Sequence, residues 1–541
     1  MTISPQQASI NAAVRNPKLM EAALALYENR LHDAEPILKA QLKQNPFDVA
    51  AIRMLAELAG RIGRFPDAEN LLRRAVELAP SFVPARSNLA LVLYRQGRAE
   101  EAIAELDLLL EQDSEDLGVA NLKAAAVSKI GDYAEAVALY EMVLKARPAQ
   151  EKIWMSYGHV LKTVGRGDDS VAAYRKAVEL KPQYGEAYWS LANLKTARFG
   201  DAELAVMQAQ LVRSDITDED RFHIDFALGK AFEDRKDWQA SFKHYAAANA
   251  LRRAALPHDA AEHSAMIASR AAQMTPAFFK ERKGGHDAAD PIFILGMPRA
   301  GSTLIEQILA SHSMVEGTHE LAEMGMIASR IATKGGGEGA SDYCDGLAML
   351  NADDRRRIGA EYIDRTRINR KTAKPFFIDK MPNNWQNVAL IQLILPNAKI
   401  IDARRHPMDC GFSNFKQHFA RGQSFSYDLS DIGHYYGDYV RYMRSADTAL
   451  PGRVHRVIHE ALVADPEMEI RDMLTYLDLP FEQACLQFWQ NERAVQTPSA
   501  QQVRRPINRD GMDKWQHYEI WLASLKTALS DILERYPAVP A

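Results

Sequence analysis

The sequence predicts an α-solenoid in its first half and an α/β domain with a parallel sheet in its second. Three observations carry this. A repeating step runs through the first half in three columns of residues at once, the step is lost after residue 253, and Pro291 opens an apolar run, PIFIL, that leads into a glycine-containing turn and an amphipathic segment. At roughly 150 residues per domain, 541 residues allow two to four domains. A content of 47% apolar and 25% charged residues suits ordinary globular domains.

The first column is Gly63, Gly97, Gly131 and Gly165, each 34 residues from the last. Ala34, Ala68, Ala102, Ala136 and the small Ser170 form the second. Pro46, Pro80, Ser114, Pro148 and Pro182 form the third, where a proline stops one helix and turns the chain into the next. Within one unit, Trp154 to Pro182, apolar and small residues recur at helical spacing on two successive segments. This predicts two antiparallel helices, with Gly158, Ser170 and Ala177 permitting close approach and Trp154, Tyr157, Leu161 and Tyr174 filling the space between.

The pattern of Trp154, Tyr157, Gly158, Leu161, Ser170, Tyr174, Ala177 and Pro182 resembles the tetratricopeptide repeat. The phase slips near Asp215 to Asp220 and resumes with Leu228, Gly229, Tyr245 and Ala248. About seven units are expected over residues 17–253, after an N-terminal segment, 1–16. Such arrays commonly bind an extended peptide on their concave face, so a peptide or protein acceptor is the expected partner. The alternative is an array that packs on its own second domain or self-associates. Oligomeric state stays open. Residues 254–290, with the polar stretch RKGGHDAAD, read as a linker to a domain at 291–541.

Composition narrows the partners. With 66 basic and 71 acidic side chains the net charge is -5, which gives no bulk attraction to nucleic acid or to an anionic membrane, and neither is expected as a partner. Any anion site must be local. The three cysteines are far apart without a C-x-x-C pair, which disfavours structural zinc or a redox dithiol and suits a reducing, cytoplasmic compartment. The amino terminus lacks a basic start followed by an apolar run, and nowhere do about 18 apolar residues run uncharged, so neither export nor membrane spanning is expected.

The motif at Pro291 reads as strand, tight turn and a helix starting around Ser302, which together make an anion cradle. Gly296 and Gly301 let backbone N–H groups approach an oxyanion, and Ser302 and Thr303 supply hydroxyl donors. An ATP-binding P-loop places a lysine before its hydroxyl residue. Here Gly301 is followed directly by Ser302, and Arg299 sits inside the loop, which points to a phosphate-like group handled by fixed cations rather than by a metal. The histidines show no metal-site spacing.

PRAGSTLIEQILASH closely resembles the 5′-phosphosulfate loop of sulfotransferases that use 3′-phosphoadenosine 5′-phosphosulfate (PAPS). The likeness implies a P-loop-like α/β sulfotransferase domain in which Pro298, Arg299, Ala300, Gly301, Ser302 and Thr303 bind the cofactor. AKIIDARRHPMDCGFSNF is similar to the family's 3′-phosphate site and implies Arg405 and Ser413 there, with Arg404 a second candidate. Lys380, after FFID, stands where the family keeps a lysine beside the donor's bridging oxygen. Glu320 stands where the tyrosylprotein sulfotransferase branch has its catalytic base, with His319 as a rival. Ser499, Pro506, Asn508, Lys514 and Trp515 resemble that branch's cofactor-closing segment. His459, expected at the cofactor, replaces the tyrosine common in relatives, and Ala300 and Ser302 replace serine and threonine.

Sulfuryl transfer builds negative charge on the leaving oxygen and releases a proton from the acceptor, so positioning and charge stabilisation carry the rate. The resemblance therefore implies that Lys380, Arg299 and Ser499 stabilise charge and that Glu320 takes the proton, a task better suited to a desolvated carboxylate. No metal is required. A tyrosine hydroxyl of a peptide is the expected acceptor. A carbohydrate, lipid or small-phenol hydroxyl needs the same machinery, and a non-catalytic nucleotide-binding scaffold is the rival of a different class. A nucleotide kinase is disfavoured by the missing lysine.

Overall fold

A computed structural model describes residues 16–334, 340–419, 423–491, 493–495, 497 and 502–538. The chain divides into two compact units, one ending at Leu161 and one starting at Lys162.

The first unit is a run of antiparallel helix pairs: Pro17–Tyr27 with Leu31–Gln44, Val49–Arg61 with Phe65–Leu78, Val83–Arg95 with Ala99–Gln112, and Leu117–Ile130 with Tyr133–Ala146. Its columns have physical causes. Ala34, Ala68, Ala102 and Ala136 are each 0% exposed, because a larger side chain there would force paired helices apart. Gly63, Gly97 and Gly131 take φ of 80°, 83° and 88° in the turn between the two helices of a pair, the left-handed region that glycine enters without penalty. Pro46, Pro80 and Pro148 each lie just beyond a helix end. Asp48, Asp116 and Asp132 cap helix starts by accepting from Ala51 N, Val119 N and Glu135 N.

The second unit begins inside the repeats. It contains Gly167–Leu180, Gly185–Asn193, Asp201–Leu211, Asp218–Asp234 and Trp238–Ala255. Residues 254–290, read above as a linker, hold the helices Ala260–Gln273 and Pro276–Glu281. The first of these packs against the long helix Leu429–Ala449, where Ser264 Oγ donates to Asp438 Oδ2 at 2.7 Å.

A five-stranded sheet follows: β1 (Pro291–Gly296), β2 (Val315–Gly317), β3 (Phe376–Lys380), β4 (Lys399–Arg404) and β5 (Val454–Ile458). The order is β2-β3-β1-β4-β5, and all paired neighbours are parallel. All six residues of β1 are buried, as a central parallel strand covered on both faces requires. The chain crosses from one side of β1 to the other between β3 and β4, so the carboxyl ends of β1, β3 and β4 flank the crevice where open α/β sheets bind ligands. Those ends are Gly296, Lys380 and Arg404.

Repeat helices and sheet domain are joined within this unit by buried polar contacts. Ser241 Oγ lies 2.9 Å from Tyr518 Oη, Asn249 Nδ2 donates to Phe415 O at 2.8 Å, and Lys416 Nζ pairs with Glu233 at 2.8 Å.

Candidate functional site

The loop after β1 is shaped by close backbone approach. A Cβ on Gly296, whose φ is 131°, would sit 2.3 Å from Ala403 O of the neighbouring strand, so only glycine fits. Pro298 O accepts from Asn414 Nδ2 at 2.8 Å, which ties the loop to the helix Pro407–Phe415. Arg299 takes φ of 68°, a left-handed conformation costing a non-glycine residue about 1 kcal/mol. Its Nε donates to Ser413 Oγ at 3.2 Å. Gly301 has φ of 100°, and a Cβ there would meet His459 Nδ1 at 2.9 Å. Ser302 and Thr303, both buried, open the helix Ser302–Ala310, whose positive dipole end faces the loop.

From the end of β4, Arg405 donates to Arg299 O at 3.3 Å and to Gly511 O. Its Nε is buried without a hydrogen-bond partner among the described residues, as is His459 Nδ1. Burial, reinforced by the neighbouring Arg405 charge, pushes Arg299 down to about 10 and His459 down to about 4. His459 is therefore neutral at pH 7. Arg404, the other candidate, is only 2% exposed and bonds to Asp402 at 3.1 Å and Tyr439 Oη at 3.3 Å within the core, so it is not at the site.

From the end of β3, the Lys380 ammonium, 1% exposed, donates to the Glu320 carboxylate. The desolvated setting expected for Glu320 is corrected here: its side chain is 47% exposed and held by an ion pair. His319 is exposed too, and desolvation and the Lys380 charge lower its pKa. Arg493 braces the segment before them. It pairs with the buried Glu306 and donates to Gln307 Oε1 at 2.9 Å and to Thr318 O at 3.2 Å.

These residues surround one cavity of about 290 Å³, at the lower end of small-molecule sites. Pro298, Arg299, Gly301, Ser302 and Thr303 line it from the loop, joined by Glu320, Arg405, Ser413, His459 and Lys514. Lys380 does not itself line the cavity; its ammonium contacts Glu320, which does. Ala300 is buried in the loop's underside and does not line it, and Ser499 lies outside the described residues. The donor set fits a nucleotide carrying phosphates: two guanidiniums, hydroxyls at a helix start, and orphaned buried nitrogens on Arg405 and His459.

Residues 291–483 match the sulfotransferase family, and residues 53–116 and 121–185 match the tetratricopeptide repeat. The second half carries a sulfotransferase-family domain. An uncharacterized protein of Aquifex aeolicus is 31% identical over 405 residues, 73% of this chain and 52% of that protein, so the chain spans about half the length of this relative. A Caenorhabditis briggsae protein bearing a protein-tyrosine sulfotransferase name is 24% identical over 229 residues, 41% of this chain and 80% of that one. The solved sulfotransferase domain of the Synechococcus PCC 7002 olefin synthase is 22% identical, covers 43% of this chain and 90% of that one, and superposes with a TM-score of 0.32.

The sulfotransferase domain does not line the cavity alone. Trp189, Asn193, Lys195, Lys230 and Glu233, all from the repeat region, share its wall. Sequence reasoning missed them because the repeat pattern marks which residues pack between helices and carries no signal of which outer face meets a second domain. Lys416 was missed as well. It lies three residues beyond Ser413, nearly one helical turn, and that spacing is the signal that points to it.

Proposed function

We propose that this chain moves a sulfuryl group from PAPS to an acceptor hydroxyl, with tyrosine of a peptide or protein as the acceptor class. The observation that carries the reading is the convergence of Arg299, Arg405, Ser413 and the Lys380–Glu320 pair at the carboxyl ends of three adjacent strands in a sulfotransferase-family domain. When bound, the donor supplies an SO₃ unit carried on a phosphate leaving group. Arg405 and Ser413 hold one phosphate, and the loop backbone with Ser302 and Thr303 holds the other. Arg299 and Lys380 neutralise charge that grows on the leaving oxygen, which is where fixed cations in a partly dry site contribute most.

Glu320 accepts the proton of the acceptor hydroxyl. Its partial exposure puts it at the mouth of the cavity, where an acceptor arrives, and Lys380 holds it in place beforehand. The tyrosine preference rests on the resemblance around Glu320 and on the name of the Caenorhabditis relative. The repeat array recruits the acceptor polypeptide, and the enzyme works in a reducing, cytoplasmic compartment. Incubation with sulfur-labelled PAPS and a panel of tyrosine peptides, saccharides and phenols tests this. Label in peptide tyrosine is expected. Label only in saccharides or small molecules overturns the acceptor, and no transfer to any acceptor overturns the enzyme.

A further inference from the structure

Lys195 stands immediately after the repeat helix Gly185–Asn193 and its cap, and it occupies φ of 64°. That is the left-handed position at which a helix ordinarily ends on glycine or asparagine. A lysine there costs about 1 kcal/mol of backbone strain that glycine would avoid. Its side chain lines the same cavity as Arg299, Ser413 and Lys416.

The surrounding charges are unbalanced. Lys416 is neutralised by Glu233 and Lys230 by Asp234. Lys195 forms no ion pair among the described residues, and its Nζ reaches only Gln502 Oε1, at 3.4 Å. Burial, and then the charges of Arg299, Lys416 and Lys230, push its ammonium well below the usual lysine range, with Glu233 opposing them. The wall that carries it is fixed to the sulfotransferase domain by the Lys416–Glu233 pair and by Asn249 donating to Phe415 O, next to Lys416 and two residues after Ser413. A half-buried cation lining a cavity among other cations has the charge setting of an anion site.

We propose that the repeat array completes the nucleotide site, with Lys195 contacting the phosphate that Arg405 and Ser413 also hold. The inference rests on the PAPS reading above and goes beyond it, because it makes the repeats part of the cofactor site as well as an acceptor platform. An anionic acceptor is the competing source of negative charge, and the experiment separates the two.

Calorimetric titration of the full chain compares 3′-phosphoadenosine 5′-phosphate (PAP) with AMP, which lacks the 3′-phosphate. Lys195→Gln is expected to weaken PAP about tenfold while AMP affinity stays within twofold, and Lys195→Arg is expected to retain most PAP affinity. Melting temperatures of both variants verify folding. Unchanged PAP affinity in Lys195→Gln, with wild type binding normally, overturns the inference and leaves the PAPS reading standing. Equal loss for PAP and AMP overturns the 3′-phosphate assignment, as does a raised acceptor KM with PAP binding intact. Failure of wild type to bind PAP overturns both readings.

Discussion

Glu320→Gln separates chemistry from stability. The substitution keeps the shape and an acceptor oxygen for Lys380 while removing the negative charge and the proton-accepting role. Lys380 is 1% exposed and Glu320 is 47% exposed. A fully buried pair broken on one side costs about 3–5 kcal/mol, and a fully exposed one about 0–1 kcal/mol. With one partner dry and the other half in water, the expected loss is about 1 kcal/mol, a fall in melting temperature of about 1 °C for a unit of this size. Losing a general base costs about a hundredfold or more in rate. The expected outcome is therefore a kcat at least about a hundredfold lower with PAP affinity little changed. Steady-state kinetics with labelled PAPS, beside a thermal melt, measures both. Glu320→Gln retaining kcat within about threefold, with His319→Ala losing it, would refute the assignment and move the base to the neighbouring histidine.

Three further outcomes follow from the geometry. Gly301→Ala combines φ of 100° with a Cβ 2.9 Å from His459 Nδ1, so strain of about 1–2 kcal/mol and a displaced His459 weaken PAP about tenfold in calorimetry; unaltered affinity would show that the loop tolerates a side chain there. Asp379, 0% exposed and bonded by Tyr362 Oη at 2.7 Å, is pushed up to about 7 by burial. Its folded pKa lies above the unfolded value near 4, so its contribution is complete below pH about 4 and is lost as pH rises through about 7, on the order of 1 kcal/mol per pH unit. Asp379→Asn should therefore flatten the decline of denaturant stability across that window, and an unaltered slope would contradict the burial effect. Arg493→Met strands the Glu306 carboxylate, 2% exposed, at a cost of about 3 kcal/mol, while adding Glu306→Gln recovers most of it. Equal melting temperatures for the single variant and wild type would count against the brace.

The repeat architecture was legible because its constraint is local and recurs. Each buried alanine and each left-handed glycine restates one steric rule, and three columns in phase leave little freedom. The sulfotransferase site was legible where chemistry sits at a strand end: Gly296, Lys380 and Arg405 are placed by β1, β3 and β4 themselves. Arg404 and Arg405 show the limit. Adjacent residues leaving a strand point to opposite faces, so one enters the core beside Asp402 and the other the cavity, and two neighbouring arginines do not say which is which. The exposure of Glu320 and the entry of Lys195 into the cavity depend on contacts between elements far apart in the chain, which periodicity does not encode.

The most direct test of the central claim is a crystal structure of the full chain with PAP bound. PAP is expected in the cavity, its 3′-phosphate within hydrogen-bond distance of Arg405 and Ser413 and its 5′-phosphate on the loop at residues 296–303. PAP bound elsewhere, or a cavity that excludes PAP and instead takes ATP with a metal ion, would contradict the account.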